Sequence, residues 1–256
     1  MHILLVNDDG YLCPGIVKLA YALKNDHVIT VIAPHKCNSG MAHATSFNKP
    51  IFIQEINDFP YECYSITGTP ADCVKIGLEM LSGNRPDLVI SGINTDYNIG
   101  TDVVYSGTSN AALEATINRI PAIAVSTKVD NEGFQYVVDY FISNFAYFFS
   151  LISSEYALNI NINRRSIGNT GNVITQLGKR IFSDIYLIDP YSTKGISYTL
   201  IGNPIPVNNI DDCDVEWIKK GYTTITPITP DKTDYKNISL LKKTHFNGQK
   251  VTEWPE

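Results

Sequence analysis

The sequence predicts a doubly wound α/β fold on a mainly parallel sheet, with a C-terminal β-hairpin extension. Three observations carry that expectation. Short runs rich in Val, Ile and Leu recur through the first half of the chain, helical patterns separate them, and polar turns follow them. Strands buried on both faces read as continuous apolar runs, and strand-helix alternation builds a parallel sheet through right-handed crossovers.

Strands are expected at His2 to Val6, His27 to Ala33, Asp87 to Ser91 and Ala122 to Ser126. After the first, Ile16, Val17, Leu19, Ala20 and Leu23 mark a helix, with Pro14 near its start, where a missing N–H is tolerated. A second helix begins after Gly68-Thr69-Pro70 and carries Val74, Leu78 and Leu81; a third runs from about Asn110 to Ile117. The apolar stretch from Phe134 to Ile152 approaches the roughly 20 residues that span a bilayer. Gln135, Asp139, Ser143 and Asn144 interrupt it, and Val138, Phe141, Phe145, Phe148 and Ile152 recur at helical spacing, so it reads as a buried amphipathic helix.

From Leu158 the pattern changes to alternating segments, Leu158 to Asn163 and Val173 to Leu177. The extended stretch from Lys179 to Ile201 reads as a projecting hairpin, with an antiparallel extension of the main sheet as the other reading. Tyr222 to Pro230 alternates Thr and Pro before a polar tail. The expectation is a single domain over 1–256, of the Rossmann-like kind, with a core at about 1–175, a hairpin at about 179–201 and a C-terminal segment at about 221–256.

A chain of 256 residues, 44% hydrophobic and 18% charged, is long enough for a substantial core and unlike a disordered one. A net charge of −6 gives no footprint for duplex nucleic acid, while local donors or a metal still allow a small phosphorylated ligand. Five scattered cysteines show no Cys-x-x-Cys or zinc spacing and fit reduced thiols in a cytoplasm; no leader or membrane span is expected.

Asp8 and Asp9 follow the first strand within Asn7-Asp8-Asp9-Gly10, at the strand's carboxyl end, where parallel sheets bind ligands. Two such carboxylates repel by about 4 kcal/mol at about 4 Å and an effective dielectric of about 20, a cost that a shared proton or a cation removes. A solvated Asp-Gly turn is the plainer reading. The loop after the second strand offers the Ser39 hydroxyl, and the third strand leads into Asn94 with its amide oxygen. Two carboxylates, a hydroxyl and an amide oxygen form a hard, all-oxygen set suited to Mg²⁺ or Mn²⁺. Further on, Ser106-Gly107-Thr108 precede a helix, an arrangement that attracts phosphate through free amides, hydroxyls and the helix dipole. Plain N-capping by Ser or Thr explains the same residues.

Taken together, Asn7-Asp8-Asp9-Gly10 with Pro14-Gly15, Ala33-Pro34 with Ser39-Gly40, Gly68-Thr69-Pro70-x-Asp72-Cys73, Ser91-Gly92-Ile93-Asn94 and Tyr105-Ser106-Gly107-Thr108 resemble the SurE survival-protein family of metal-dependent 5'/3'-nucleotidases. Gly221-Tyr222, Thr226-Pro227 and Asp231-x-Thr233 extend the resemblance toward the C-terminus. It implies one Mg²⁺ or Mn²⁺ per subunit on Asp8, Asp9, Ser39 and Asn94, with phosphate held by Ser106, Gly107 and Thr108. Asn98 is a further phosphate or supporting contact, and His43, in a loop bordering the site, a possible substrate contact. The implied reaction is hydrolysis of nucleoside 5'- or 3'-monophosphates by metal-activated water, with Asp8 or Asp9 managing the proton. The family also implies a homodimer or homotetramer built through the hairpin and an exchanged C-terminal segment.

Some positions depart from the family. Asp96 replaces a glycine near the metal ligands, Ser109-Asn110 replace small apolar residues, Asn163 replaces a proline, and Arg119 replaces a glycine that ends a helix. Arg119 disfavours a left-handed turn by roughly 1 kcal/mol and predicts a different helix end. An aspartyl-nucleophile phosphatase, which expects Asp-x-Asp after the first strand, and a nucleotide or phosphate sensor with weak turnover are the alternative functions.

Overall fold

The computed structural model describes residues 1–130, 133–164, 171–191, 193–246 and 249–250. The chain runs β1 (His2–Val6), α1 (Pro14–Leu23), β2 (Val28–Pro34), β3 (Ile53–Glu55), β4 (Glu62–Ile66), α2 (Pro70–Met80) and β5 (Leu88–Asn94). A 3-10 turn (Gly100–Val104) leads into α3 (Gly107–Ile117), β6 (Ala122–Thr127), α4 (Phe134–Ser143), α5 (Phe145–Ser150) and β7 (Ala157–Ile162). Then come β8 (Asn172–Ile174), β9 (Ile181–Phe182), β10 (Ile185–Asp189), β11 (Ser197–Ile201), β12 (Pro204–Ile205), α6 (Asp214–Lys219), β13 (Thr223–Ile228), α7 (Tyr235–Leu241), β14 (His245–Phe246) and β15 (Gln249–Lys250).

Nine strands form one sheet in the order β3-β4-β2-β1-β5-β6-β7-β13-β8. The six from β4 to β7 pair in parallel, while β3 and β13 run antiparallel to β4 and β7. The chain winds from β1 toward β2 and β4, then restarts on β1's other side through β5, β6 and β7. The switch point therefore lies between the carboxyl ends of β1 and β5, where Asp8 and Asp9 follow one strand and Asn94 ends the other.

Alternation along β1 divides the core between two faces. Ile3 and Leu5 join Ile16 and Leu19 of α1 and Phe134 and Phe141 of α4. Leu4 and Val6 join Val74 and Leu78 of α2 and Ala111 and Ala115 of α3. Thr69 starts α2 with a capping box: its hydroxyl accepts from Asp72 N at 3.2 Å, and its own N–H donates to Asp72 Oδ2 at 2.9 Å. Among the described residues, no helix is long and apolar enough to cross a membrane.

Several elements differ from expectation. The stretch read as one helix from Phe134 to Ile152 is two, broken at Asn144. Asn144 Nδ2 donates to Tyr140 O at 2.9 Å and its Oδ1 accepts from Asn172 Nδ2 at 3.2 Å. The apolar spacing carries across this break, with Phe141 stacked on Phe148, so periodicity alone does not reveal it. α3 begins at Gly107 rather than near Asn110, because Ser106 Oγ caps it by accepting from Ser109 N at 2.9 Å. Arg119 does take up the left-handed conformation, at φ +61°, and Ile120 N donates to Ala115 O at 3.0 Å, so α3 ends as it would with glycine there. β3, β4, α6 and α7 are additional to the elements expected.

β10 pairs with β11 and β9 with β12, and neither pair joins the main sheet. The stretch from Lys179 is thus a projecting arm that reaches Ile205, slightly longer than expected. Residue 192 in this arm, and residues 247–248 and 251–256 of the expected C-terminal segment, lie outside the described residues.

Candidate active site

The turn carrying the two carboxylates is closed by its own first residue. Asn7 is fully buried; its Nδ2 donates to Gly10 O at 2.9 Å and its Oδ1 accepts from Gly10 N at 3.1 Å. Gly10 has φ +102°, a region open to glycine at little cost. Asn38 N donates to Asp8 O at 2.7 Å, which fastens the Ser39 loop to this turn.

Asp8 is only 3% exposed, and its Oδ1 accepts from Thr108 Oγ1 at 2.7 Å. Burial raises its pKa from 3.8 to about 6, Thr108 opposing the rise and the Asp9 charge adding to it. Asp9 is partly buried and also raised, chiefly by burial, while a backbone hydrogen bond from Thr95 and the Cys13 and Cys37 thiols oppose the shift. The two thiols lie 3.8 Å from Oδ2 and 3.9 Å from Oδ1. Among the described residues, neither carboxylate has a Lys, Arg or His partner in an ion pair. Burial of the Cys13 thiol pushes its pKa up to about 11, which suits a packed donor better than a nucleophile.

Ser39 is exposed, and its Oγ lies 3.0 Å from Cys37 Sγ, the thiol that also reaches Asp9. Asn94 donates through Nδ2 to Asp96 O at 2.7 Å, which fixes the amide and keeps Oδ1 as the acceptor end. The Asp96 carboxylate instead takes Tyr97 N at 2.8 Å and lies 3.7 Å from Lys128 Nζ.

The start of α3 abuts Asp8. A Cβ on Gly107 would lie 3.0 Å from Asp8 Cβ and 3.1 Å from Asp8 Oδ2, so only glycine lets the helix start approach this closely. Among the described residues the Gly107 amide has no hydrogen-bond partner, one of the open donors of a helix start. Ser106 and Thr108 both have structural roles: one hydroxyl caps the helix, and the other holds Asp8.

Asn98 is 7% exposed and knits the floor together. Its N–H donates to Asn161 Oδ1 at 2.8 Å and its Nδ2 to Ser126 Oγ at 2.8 Å, while its carbonyl accepts from Asn159 and Asn161. One of its two Nδ2 hydrogens is thus engaged with the protein. His43 Nε2 lies 2.9 Å from Glu114 Oε2, and Lys75 Nζ donates to Glu114 Oε1 at 2.7 Å. Burial alone would raise the Glu114 pKa, but the His43 and Lys75 hydrogen bonds bring it below the usual value.

Four supporting residues were not singled out from the sequence. Asn159 and Asn161 hold the Asn98 loop from β7, and Glu114 anchors the His43 loop. Asp214 accepts from Gly100 N and Gly178 N, each at 2.8 Å, tying the loop before α3 to the root of the arm. Only the alternating Asn159 and Asn161, polar groups within an otherwise apolar strand, left a readable signal.

The family model described as Survival protein SurE matches residues 3–184. The chain belongs to the SurE family. It is 37% identical to the 5'-nucleotidase SurE of Pseudothermotoga lettingae, with 99% of this chain and 98% of that protein covered. The 5'-nucleotidase SurE of Pelotomaculum thermopropionicum is 39% identical, with 95% of each covered. The crystal structure of the SurE protein from Aquifex aeolicus aligns at a TM-score of 0.79 and 33% identity, covering 94% of this chain and 98% of that one.

Proposed function

We propose that this protein is a metal-dependent nucleotidase that hydrolyses nucleoside 5'- and 3'-monophosphates to nucleoside and phosphate, using one Mg²⁺ or Mn²⁺ per subunit. Full-length similarity to curated 5'-nucleotidases supports the activity. The observation that carries the metal is the adjacent pair Asp8, buried, and Asp9, partly buried, with no cationic side chain paired to either among the described residues. A divalent ion at Asp8, Asp9, Ser39 and Asn94 would offset the cost of those charges, and the set is all oxygen. When bound, such an ion lowers the pKa of a coordinated water and neutralises charge on the phosphoryl group.

The chain's own residues supply the rest. Thr108 fixes the Asp8 carboxylate, Asp96 O fixes the Asn94 amide, and the open Gly107 amide at the start of α3 attracts a phosphate oxygen. Asp9, the less buried of the pair, is the carboxylate suited to take a proton from the attacking water. Ser106 assists at the phosphate through its hydroxyl hydrogen while its oxygen caps α3, and Asn98 supports the floor. His43 is a possible substrate contact through its loop.

Exposed Ile185, Leu187, Tyr198 and Ile201 on the arm support assembly as a homodimer or homotetramer. The five free cysteines fit a cytoplasmic location. The test of the reading is hydrolysis of nucleoside monophosphates that is lost on chelation and restored by Mg²⁺ or Mn²⁺. Phosphate or nucleotide binding without turnover under any metal would identify a sensor instead.

A further inference from the structure

The loop that carries Ser39, one of the proposed metal ligands, spans two parts of the candidate site. Asn38 N donates to Asp8 O at 2.7 Å, and Ala42 N donates to Tyr105 O at 3.0 Å, one residue before Ser106. Ser39, Gly40 and Met41 lie between those two ties, so this segment bridges the carboxylate turn and the approach to α3. We infer that Glu114 is a positioning residue for the metal: it holds His43, and through His43 it keeps the Ser39 segment in place. The inference rests on the metal-dependent reading above.

Glu114 is a buried junction of three elements. It lies within α3, its side chain 4% exposed. Its Oε2 lies 2.9 Å from His43 Nε2 on the loop, while Oε1 accepts from Lys75 Nζ of α2 at 2.7 Å and from Asn118 Nδ2 at 3.0 Å. Both oxygens are thus engaged, and charge-assisted bonds of this kind are short and strong. The carboxylate has a fixed setting on a helix, and His43 inherits it.

The loop has need of such an anchor. Ser39 and Gly40 are exposed, and Ala42 has φ +51°, a conformation that a residue with a Cβ keeps only where its surroundings impose it. Among the described residues, the hydrogen bonds from 39–43 to other elements are the Ala42 bond to Tyr105 and the His43 bond to Glu114. Ala42 therefore sits between the two attachments that hold its backbone. Past His43 the loop is bound to the start of α2, where Thr69 Oγ1 donates to Ala44 O at 2.6 Å and Ser46 Oγ to Asp72 Oδ2 at 2.8 Å. Lys75 differs: it pairs with Glu114 and, among the described residues, has no hydrogen bond to the loop.

The test measures Mn²⁺ binding to the full chain by calorimetry, without substrate. Glu114→Ala and His43→Ala are each expected to weaken the Kd roughly 2- to 30-fold, the range that coupling through packed networks reaches. The double variant should bind no more weakly than the weaker single one, because both remove the same bond. Lys75→Ala should leave the Kd unchanged. For Glu114→Ala, turnover should be lost at limiting Mn²⁺ and recovered at saturating Mn²⁺, a rescue that a folding defect would not show. If Glu114→Ala does not fold, His43→Ala breaks the same bond from the loop side. An unchanged Kd in His43→Ala would overturn the inference, as would additive losses in the double variant or an equal loss in Lys75→Ala. An unmodified protein that binds Mn²⁺ but hydrolyses no nucleotide counts against the nucleotidase reading alone, and the Kd comparison still decides the role of Glu114. One that binds no Mn²⁺ would overturn the metal reading and this inference with it.

Discussion

Replacing Asp8 by Asn separates what the carboxylate does for the reaction from what it costs the fold. Its pKa rises from 3.8 to about 6 because burial disfavours the charge. At 1.36 kcal/mol per pKa unit, that displacement corresponds to about 3 kcal/mol. The sign follows from proton uptake. Between pH 3.8 and about 6 the folded metal-free protein holds a proton that the unfolded chain has released, so stability falls as pH rises through this window. Above it, the whole cost is present. The Asp8→Asn amide carries no charge, and its oxygen can still accept from Thr108. In the presence of chelator the variant should therefore match the parent near pH 4 and exceed it by up to about 3 kcal/mol at pH 8, roughly 6 to 12 °C in melting temperature. Mn²⁺ at 100 times its Kd should nearly close that gap, adding about 2.7 kcal/mol to the parent and little to the variant, and at 1,000 times its Kd, where it adds about 4.1 kcal/mol, should reverse the order. Turnover should fall by at least roughly 100-fold. Thermal melts at both pH values, with and without Mn²⁺, check this. A variant less stable than the parent at pH 8 in chelator, or a difference independent of pH, would refute the argument that Asp8 is held at a cost which the cation offsets.

Ser106→Ala removes the hydroxyl that caps α3 and should cost about 1 kcal/mol of stability while weakening inhibition by inorganic phosphate. Unchanged melting and inhibition together would discard both roles. Arg119→Gly should stabilise the protein by about 1 kcal/mol, because φ +61° strains a residue with a Cβ and the Arg119 pair with Glu155 is exposed on both sides. Denaturant unfolding measures it, and a net loss of stability would show that this turn is not strained.

What the sequence made legible was what periodicity and turn chemistry encode. The strands β1, β2, β5 and β6 are buried on both faces, so their apolar runs are unbroken, and Pro14 and Thr69-Pro70 mark two helix starts. The break at Asn144 was hidden because the aromatic spacing continues across it. β3 is a three-residue edge strand with every residue exposed, so burial left no pattern to read. At the site, Asp8, Asp9 and Asn94 were legible because each stands at the end of an apolar run. Glu114 and Asp214 were not: one lies inside a helix and the other at the start of a short one, and each acquires its role from partners more than 30 residues away.

Asp96 shows why a residue's type and its contribution can part company. A third carboxylate beside the two proposed as metal ligands would, by charge alone, strengthen cation binding or repel a phosphate dianion. In the fold its side chain caps Tyr97 N and approaches Lys128, so much of its charge is balanced locally, and it is 62% exposed to a screening solvent. What Asp96 delivers to the site is its main-chain carbonyl, which takes the Asn94 amide hydrogen and leaves the Asn94 oxygen for its proposed role as a metal ligand. Any residue at this position supplies that carbonyl if the turn keeps its shape. The consequence for the reaction therefore depends on backbone geometry more than on charge, and a glycine in the same place would serve the same end.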